Sequence, residues 1–309
     1  MTDIIAIVGA TGTGKSDLSL ETVQELARHG IAAEIVNADA MQLYRGMNIG
    51  TAKLSENERR GITHHLIDVL DPTDEAAVAS YQAQARAAID DIHSRGAAAL
   101  LVGGSGLYVS SVLFNFDFPG HDDDVRARLE EELAQHGPGH MFARLKLIDP
   151  GTAARIDQKN ERRIIRALEV IAMTGNSAEL GTLPEAPDYW RPAQIFGLQQ
   201  DRERLVARLD KRVEAMWASG LVDEVRDLIP GGIRNGVTAR RAIGYAQALA
   251  QIDGDLSESQ AISETQALTR RYARRQVSWF KRYANLDWLP AGDSTNATQI
   301  ASRLMASRH

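Results

Sequence analysis

Gly9-Ala10-Thr11-Gly12-Thr13-Gly14-Lys15-Ser16 has the residue types and spacing to grip a polyphosphate. The form is G-x-x-x-x-G-K-[S/T], whose glycines let the backbone turn its N–H groups inward around an anion. Lys15 adds a whole positive charge, and a helix opening behind it would add the partial charge of its N-terminus. Ser16 can offer its hydroxyl to a phosphate oxygen or to Mg²⁺. Two more segments could contribute chemistry. Asn37-Ala38-Asp39-Ala40-Met41-Gln42 carries a carboxylate, which either stands beside the phosphate site or is a solvated turn residue. Gly103-Gly104-Ser105-Gly106 is a second glycine turn, with a hydroxyl at another anion-friendly position.

The elements around these segments must bring them together. Ile4-Ile5-Ala6-Ile7-Val8 reads as a strand before the first loop, and Ser16 to His29 as an amphipathic helix stopped by Gly30. Ala33-Glu34-Ile35-Val36 is a second strand, and Ala98-Ala99-Leu100-Leu101-Val102 a buried one. Phosphate sites in parallel sheets lie at strand C-termini, so Asp39, just past strand two, is expected beside the phosphate loop. A kinase or ATPase usually ends such a buried strand on an acidic Mg²⁺ ligand. Here Gly-Gly-Ser stands there, which counts against ATP chemistry.

Residues 43–63 suggest loops with a short helix, His64 to Val69 a strand, and Asp74 to Arg95 a helix stopped by Gly96. Paired histidines invite a metal, but strand neighbours point to opposite faces and no further ligands cluster nearby, so structural roles are expected for His64 and His65. From 115 to 194 the pattern becomes helical: 122–135, 139–148 and 160–173, with a Gly-, Pro- and polar-rich stretch at 174–192. The fold expected is α/β: a P-loop NTPase-like parallel sheet flanked by helices at 1–114 and 195–309. A mainly helical insertion domain would occupy 115–194.

Basic residues bunch in that insertion (Arg155, Lys159, Arg162, Arg163, Arg166), the last three able to share a helix face. A helix near 202 carries Arg202, Arg204, Arg208 and Arg212, with Leu205, Leu209, Val213 and Met216 on its apolar stripe. A long helix over 257–283 has Arg270, Arg271, Arg274, Arg275, Lys281 and Arg282, no acid from 269 to 283, and Leu268, Tyr272, Trp279 and Tyr283 on its buried side. Such unrelieved stripes suit a polyanion better than solvent. They matter because the overall charge, −6 over 309 residues, would by itself argue against nucleic acid. The absence of cysteine excludes disulfides and Cys-ligated metals. No apolar run reaches membrane-spanning length, and the N-terminus reads as a strand rather than a signal peptide, so the cytoplasm is expected.

Together the segments resemble the tRNA dimethylallyltransferase (isopentenyl-tRNA transferase) family, bacterial type. They are GATGTGKS at 9–16, NADAMQLYRGMNIGTAK at 37–53, HHLIDV at 64–69, LLVGGSGLYV at 100–109, RRIIRALEV at 162–170, GLVDEVRDL at 220–228, AIGYAQAL at 242–249 and TRRYARRQVSWFKR at 269–282. The resemblance implies transfer of a dimethylallyl group from dimethylallyl diphosphate to N6 of the adenosine 3′ of a tRNA anticodon. It implies Asp39 as general base. Lys15, Ser16 and Ser105 would bind diphosphate within a Gly9, Ala10, Thr11, Gly12, Thr13, Gly14 cradle, with Arg212 neutralising the leaving group. Contacts to the anticodon stem-loop would come from Asp39, Ala40, Met41, Gln42, Arg162, Arg163, Ile164, Ile165, Arg166, Arg241, Gly244 and Tyr245. Mg²⁺ is the implied cofactor, with Ser16 its candidate ligand, and a monomer without membrane contact is expected. Two positions depart from the family pattern: Ser105 replaces a common threonine, and Ala246 stands where a basic residue often follows Gly-Tyr.

Three other classes share features with this sequence. An adenylate isopentenyltransferase would do the same chemistry on a free nucleotide but needs neither insertion nor basic stripes. A P-loop kinase requires ATP turnover, which the Gly-Gly-Ser strand end disfavours. A non-catalytic RNA-binding module has no use for a carboxylate beside a phosphate loop.

Overall fold

The computed structural model describes residues 4–115, 118–120, 122–175 and 188–307. The chain forms two compact units, Met1–Asn115 with Asp188–His309, and Phe116–Pro187.

The first unit is built on a sheet of β1 (Ile4–Gly9), β2 (Ala33–Asn37), β3 (His64–His65), β4 (Ala98–Gly103), β5 (Ala193–Gln199) and β6 (Leu286–Pro290). All pairings are parallel, in the order β3-β2-β4-β1-β5-β6. Every residue of β1 and β4 is buried, as expected of strands covered on both faces, and their Ile, Leu and Val runs show no alternation. α1 (Lys15–Arg28), α2 (Val78–Ser94) and α3 (Gly106–Leu113) follow β1, β3 and β4. One core joins Ile5, Ile7, Leu100 and Phe196 to Leu20 and Leu26 of α1. Each such buried side chain is worth about 1.5–3 kcal/mol over its exposed state.

The second unit is helical among its described residues: α4 (Asp123–Ile148), α5 (Pro150–Ala153) and α6 (Glu161–Thr174). Asp122 caps α4 by accepting from the Val125 amide, and the helix kinks at Gly137, whose φ of 76° only glycine adopts readily. Asn160 caps α6 through the Arg163 amide. Leu129, Met141, Leu145, Ile164, Ile165 and Leu168 form the core of this unit. Glu169, fully buried, is paired with Arg166 at 3.0 Å and Arg126 at 3.7 Å. Of the 174–192 stretch expected as loop, residues 176–187 lie outside the described ones.

The chain then returns through β5 to α7 (Arg202–Ala218), α8 (Leu221–Leu228), α9 (Tyr245–Asp253), α10 (Glu258–Phe280) and, past β6, α11 (Asn296–Ser307). α11 covers α1 and the sheet through Ile300, Ala301 and Leu304. Tyr44, Met47, Val213, Leu221, Ile233 and Tyr245 form a second core.

Four sequence expectations need correction. The strand at 64–69 is only His64–His65, because Leu66 and Asp68 take left-handed φ values of 59° and 57°. The short helix within 43–63 is absent: the region is turns, with a single bridge from Tyr44 to Leu70. α2 starts at Val78 rather than Asp74: the Tyr44 and Tyr108 hydroxyls donate to the Asp74 and Ala76 carbonyls, and Ala77 is extended. On α10 the fully buried line is Ala261, Thr265, Ala273, Gln276 and Phe280, whereas Leu268, Tyr272 and Trp279 are half-buried.

Candidate active site

Strand order brings three chemically equipped segments to one sheet edge. β4 lies between β1 and β2, so the turn after β4 sits between the loop after β1 and the segment after β2. Contact there is close. A Cβ at Gly103 would lie 2.2 Å from the Ala38 carbonyl oxygen, a clash between backbones that no side-chain movement relieves. The Ala38 amide donates to Val102 O at 2.8 Å, and the Ser105 amide to Ala38 O at 3.4 Å.

The phosphate loop wraps the N-terminus of α1, with Gly12 and Gly14 at φ 80° and 92°. Lys15 Nζ donates to Ala10 O at 2.8 Å, which folds the lysine over the loop, and Thr13 Oγ1 closes the turn on the same carbonyl at 2.9 Å. Burial pushes the Lys15 ammonium down to about 8, with Asp39 drawing it up and Arg212 pressing it further down. Arg212 reaches in from α7 and donates to Thr11 Oγ1 at 2.9 Å. Its Nε is buried without a hydrogen-bond partner among the described residues.

A cavity of about 210 Å³ opens on these groups. Lys15, Ser16, Arg208 and Arg212 line it with Asp39 and Gln42. Three cations therefore face two carboxylates, Asp39 and the exposed Asp17. Two of these cations, Lys15 and Arg212, are half-buried against one half-buried carboxylate, Asp39, and Arg212 keeps an orphan N–H, so the place is one that an anion would complete.

Asp39 is held by its neighbours. Asn37, nearly fully buried, accepts from the Asp39 amide at 2.9 Å and donates to Asp39 O at 3.1 Å and Leu66 O at 2.9 Å. Asp39 Oδ1 accepts from the Met41 amide at 3.0 Å, leaving Oδ2 for other work. The Ala40 amide donates to Ser105 Oγ at 3.2 Å, which ties the second glycine turn to the Asp39 segment. Ser105 Oγ thereby braces the Asp39 segment while its own O–H remains able to donate. The Tyr272 hydroxyl lies beside the Ser105 and Gln276 side chains, and burial, helped by the Asp39 charge, pushes it up to about 12.

Gln276 went unnoticed in the sequence. The Thr11 amide donates to its Oε1 at 2.8 Å, and its Nε2 donates to Gly104 O at 2.8 Å. Its signal was position: a polar residue between Ala273 and Phe280 on the buried line of α10. Asn37 and Thr51, within the 37–53 segment, and Arg208, in the basic stripe of the helix near 202, also stand at the site, though no individual role was expected of them. His64 lines the cavity with Nδ1 on Ile62 O at 2.8 Å, while His65 bonds Glu34 at 2.6 Å. Among the described residues no group of three or more His, Asp or Glu could hold a metal.

Several expected RNA contacts are internal. Ile164 and Ile165 are core residues of the helical unit. Arg166 donates to Gly120 O at 3.0 Å as well as pairing with Glu169. Tyr245 is buried, and its hydroxyl donates to Glu224 at 2.6 Å while its ring fills the space a Cβ at Gly50 would need. Gly244 starts α9 with φ 92°. Arg162, Arg163 and Arg241 are exposed. On α10, Arg271, Arg274 and Arg275 are exposed, but Arg270 is paired with Asp210 of α7 at 2.6 Å, which relieves part of the expected basic stripe.

Residues 42–283 match the family model described as IPP transferase. The chain belongs to this family. It is 58% identical over 308 residues to a tRNA dimethylallyltransferase of Clavibacter sepedonicus, covering 100% of both chains. It is 52% identical to one of Kineococcus radiotolerans, covering 98% of this chain and 95% of that one. Among solved structures it resembles the full-length tRNA isopentenylpyrophosphate transferase of Bacillus halodurans, at 36% identity and a TM-score of 0.70, over 99% of this chain and 96% of that one. A eukaryotic dimethylallyltransferase acting on tRNA superposes with a TM-score of 0.81 at 28% identity, over 100% of this chain and 80% of that one. The fold is thus the P-loop-like α/β fold of IPP transferases. No described helix is long and apolar enough to cross a membrane.

Proposed function

We propose that this protein transfers a dimethylallyl group from dimethylallyl diphosphate to N6 of the adenosine adjacent, on the 3′ side, to a tRNA anticodon. The observation that carries the reading is one cavity holding both an anion cradle with an orphan guanidinium N–H and a braced carboxylate. Relatives that match this chain over 95–100% of their own length and are named tRNA dimethylallyltransferase support it.

In the reaction N6 attacks C1 of the donor. The N6–C1 bond forms, the C1–O bond breaks, and diphosphate leaves with the electron pair. An exocyclic amine is a poor nucleophile, so a positioned base is needed as the bond forms. Asp39 takes the N6 proton. The loop amides, Lys15 and Arg212 hold the charge that develops on diphosphate, in a site where burial strengthens each contact. The adenosine is unstacked from the anticodon loop to reach Asp39, which single-stranded RNA permits at modest cost. Arg162, Arg163, Arg241 and the exposed arginines of α10 bind RNA phosphates, and Asp39 to Gln42 meet the loop.

Mg²⁺ fits as an ion carried by the diphosphate. Among the described residues no carboxylate cluster could hold it, so the Ser16 hydroxyl would be its protein ligand, and Mg²⁺ commonly takes one or two protein ligands plus substrate oxygens and water. When bound, it would further neutralise the leaving group. We place the protein in the cytoplasm as a monomer, which light scattering tests.

Mass spectrometry of an anticodon stem-loop incubated with protein, Mg²⁺ and dimethylallyl diphosphate tests the reading. One dimethylallyl group gained at that adenosine is expected, with none on AMP. Prenylation of AMP in preference to the stem-loop would assign the free-nucleotide activity instead.

A further inference from the structure

We propose that Gln276 is a positioning residue for the transfer: its side-chain amide locks the phosphate loop to the second glycine turn and so sets the donor against Asp39. The inference rests on the function proposed above. Gln276 is 4% exposed on the buried line of α10, where an apolar residue would be usual. Both ends of its amide are used on backbone: Oε1 accepts from Thr11 N–H and Nε2 donates to Gly104 O, each at 2.8 Å. Only this orientation satisfies both partners, since an N–H cannot accept and a carbonyl cannot donate.

The contacts join the elements that carry the chemistry. Thr11 lies within the anion cradle, and its hydroxyl accepts from Arg212. Gly104 directly precedes Ser105, whose hydroxyl holds the Ala40 amide next to Asp39. One turn earlier on α10, the Tyr272 hydroxyl lies beside both Ser105 and Gln276. A single helix therefore fixes the cradle on one side and the Asp39 brace on the other. The space is filled: a Cβ on Gly104 would lie 2.3 Å from Gln276 Nε2 and 3.0 Å from Gly9 O. An ordinary core residue would need no such pairing of two loops. Group transfer does need it, because a displacement of about 1 Å between reacting groups can cost about 100-fold in rate.

Two full-length variants test the role. Gln276→Met keeps the length of the side chain and removes both hydrogen bonds. Gln276→Glu keeps an acceptor for Thr11 but sets a negative oxygen against Gly104 O and adds a negative charge behind the anion cradle. Binding of inorganic diphosphate by calorimetry, hydrogen exchange of the peptide containing Thr11, and kcat and KM for stem-loop prenylation are measured on each. Gln276→Met is expected to speed exchange at Thr11, weaken diphosphate several-fold and lower kcat by about 10- to 100-fold. Gln276→Glu is expected to bind diphosphate more weakly still, through added repulsion. Wild-type diphosphate affinity in both variants overturns the proposal, whatever happens to thermal stability. So does an activity loss that tracks only the folded fraction. Calorimetry and exchange decide the matter without turnover, so a wild-type protein that binds diphosphate but prenylates no RNA refutes the functional reading instead.

Discussion

Lys15 supplies a titration that reports on the anion cradle. Its ammonium is held at about 8, against an ordinary 10.5, chiefly by burial. In the free protein it is thus charged below pH 8 and neutral above. A bound diphosphate favours the charged form, so the folded pKa rises on binding and a proton is taken up. Affinity for dimethylallyl diphosphate should then be flat below pH 8 and fall about tenfold per pH unit above it. If the anion restores the ordinary value, the gap between about 8 and 10.5 corresponds to a total loss of roughly 300-fold. The donor's own last ionisation, like that of a phosphate monoester near about 6, is complete before this window opens. Calorimetry in two buffers of different protonation enthalpy counts the protons directly: about 0.5 per donor at pH 8 and about 0.9 at pH 9. Lys15→Arg keeps a cation that does not titrate there and should abolish the slope. Equal wild-type affinity at pH 7.5 and 9.5, or a slope that survives in Lys15→Arg, refutes the assignment of Lys15 to the anion.

Asp39→Asn should leave donor and RNA affinity near wild type and slow single-turnover transfer by ~10²–10⁴-fold; undiminished turnover removes Asp39 as the base. Replacing the exposed pair Arg162 and Arg163 by Glu should weaken stem-loop binding and lessen the slope of log affinity against log salt by roughly 0.7–0.9 for each RNA phosphate left without its cation, with dimethylallyl diphosphate affinity unchanged. An identical salt slope would move RNA off this helix. Arg166→Glu should behave differently, because it leaves Glu169 buried beside a second carboxylate: denaturant titration should show about 3–5 kcal/mol of destabilisation in the helical unit, and an undisturbed midpoint would deny that pair its internal role.

Local chemistry was readable in the sequence wherever spacing itself is the signal. The eight residues from Gly9 to Ser16, the apolar runs of β1 and β4 and the glycine stops all announce their conformations. The site's bracing was hidden because it is made by contacts between distant segments. Arg166 looks like its neighbours Arg162 and Arg163 in a helical projection, yet it turns inward to Glu169 while they face solvent. Tyr245 sits in a basic stretch and reads as an RNA contact, until its ring is found filling the space beside Gly50. Ser105 carries a hydroxyl suited to phosphate, and nothing in its spacing shows that the same oxygen also accepts from the Ala40 amide, a partner 65 residues away. The 64–69 strand failed for a local reason: apolar composition cannot show that Leu66 and Asp68 take left-handed backbone angles.

The strand order has a consequence for synthesis. Chains emerge from the N-terminus, so β1 and its phosphate loop leave the ribosome first, yet they belong at the interior of the finished sheet. One neighbour of β1 is made only at residues 98–103 and the other at 193–199. Thr11 waits until residue 276 for its hydrogen-bond acceptor. Most of the chain must therefore exist before its first dozen residues are fixed, and a truncated product ending before α10 keeps the whole glycine-rich loop but lacks the side chain that holds it.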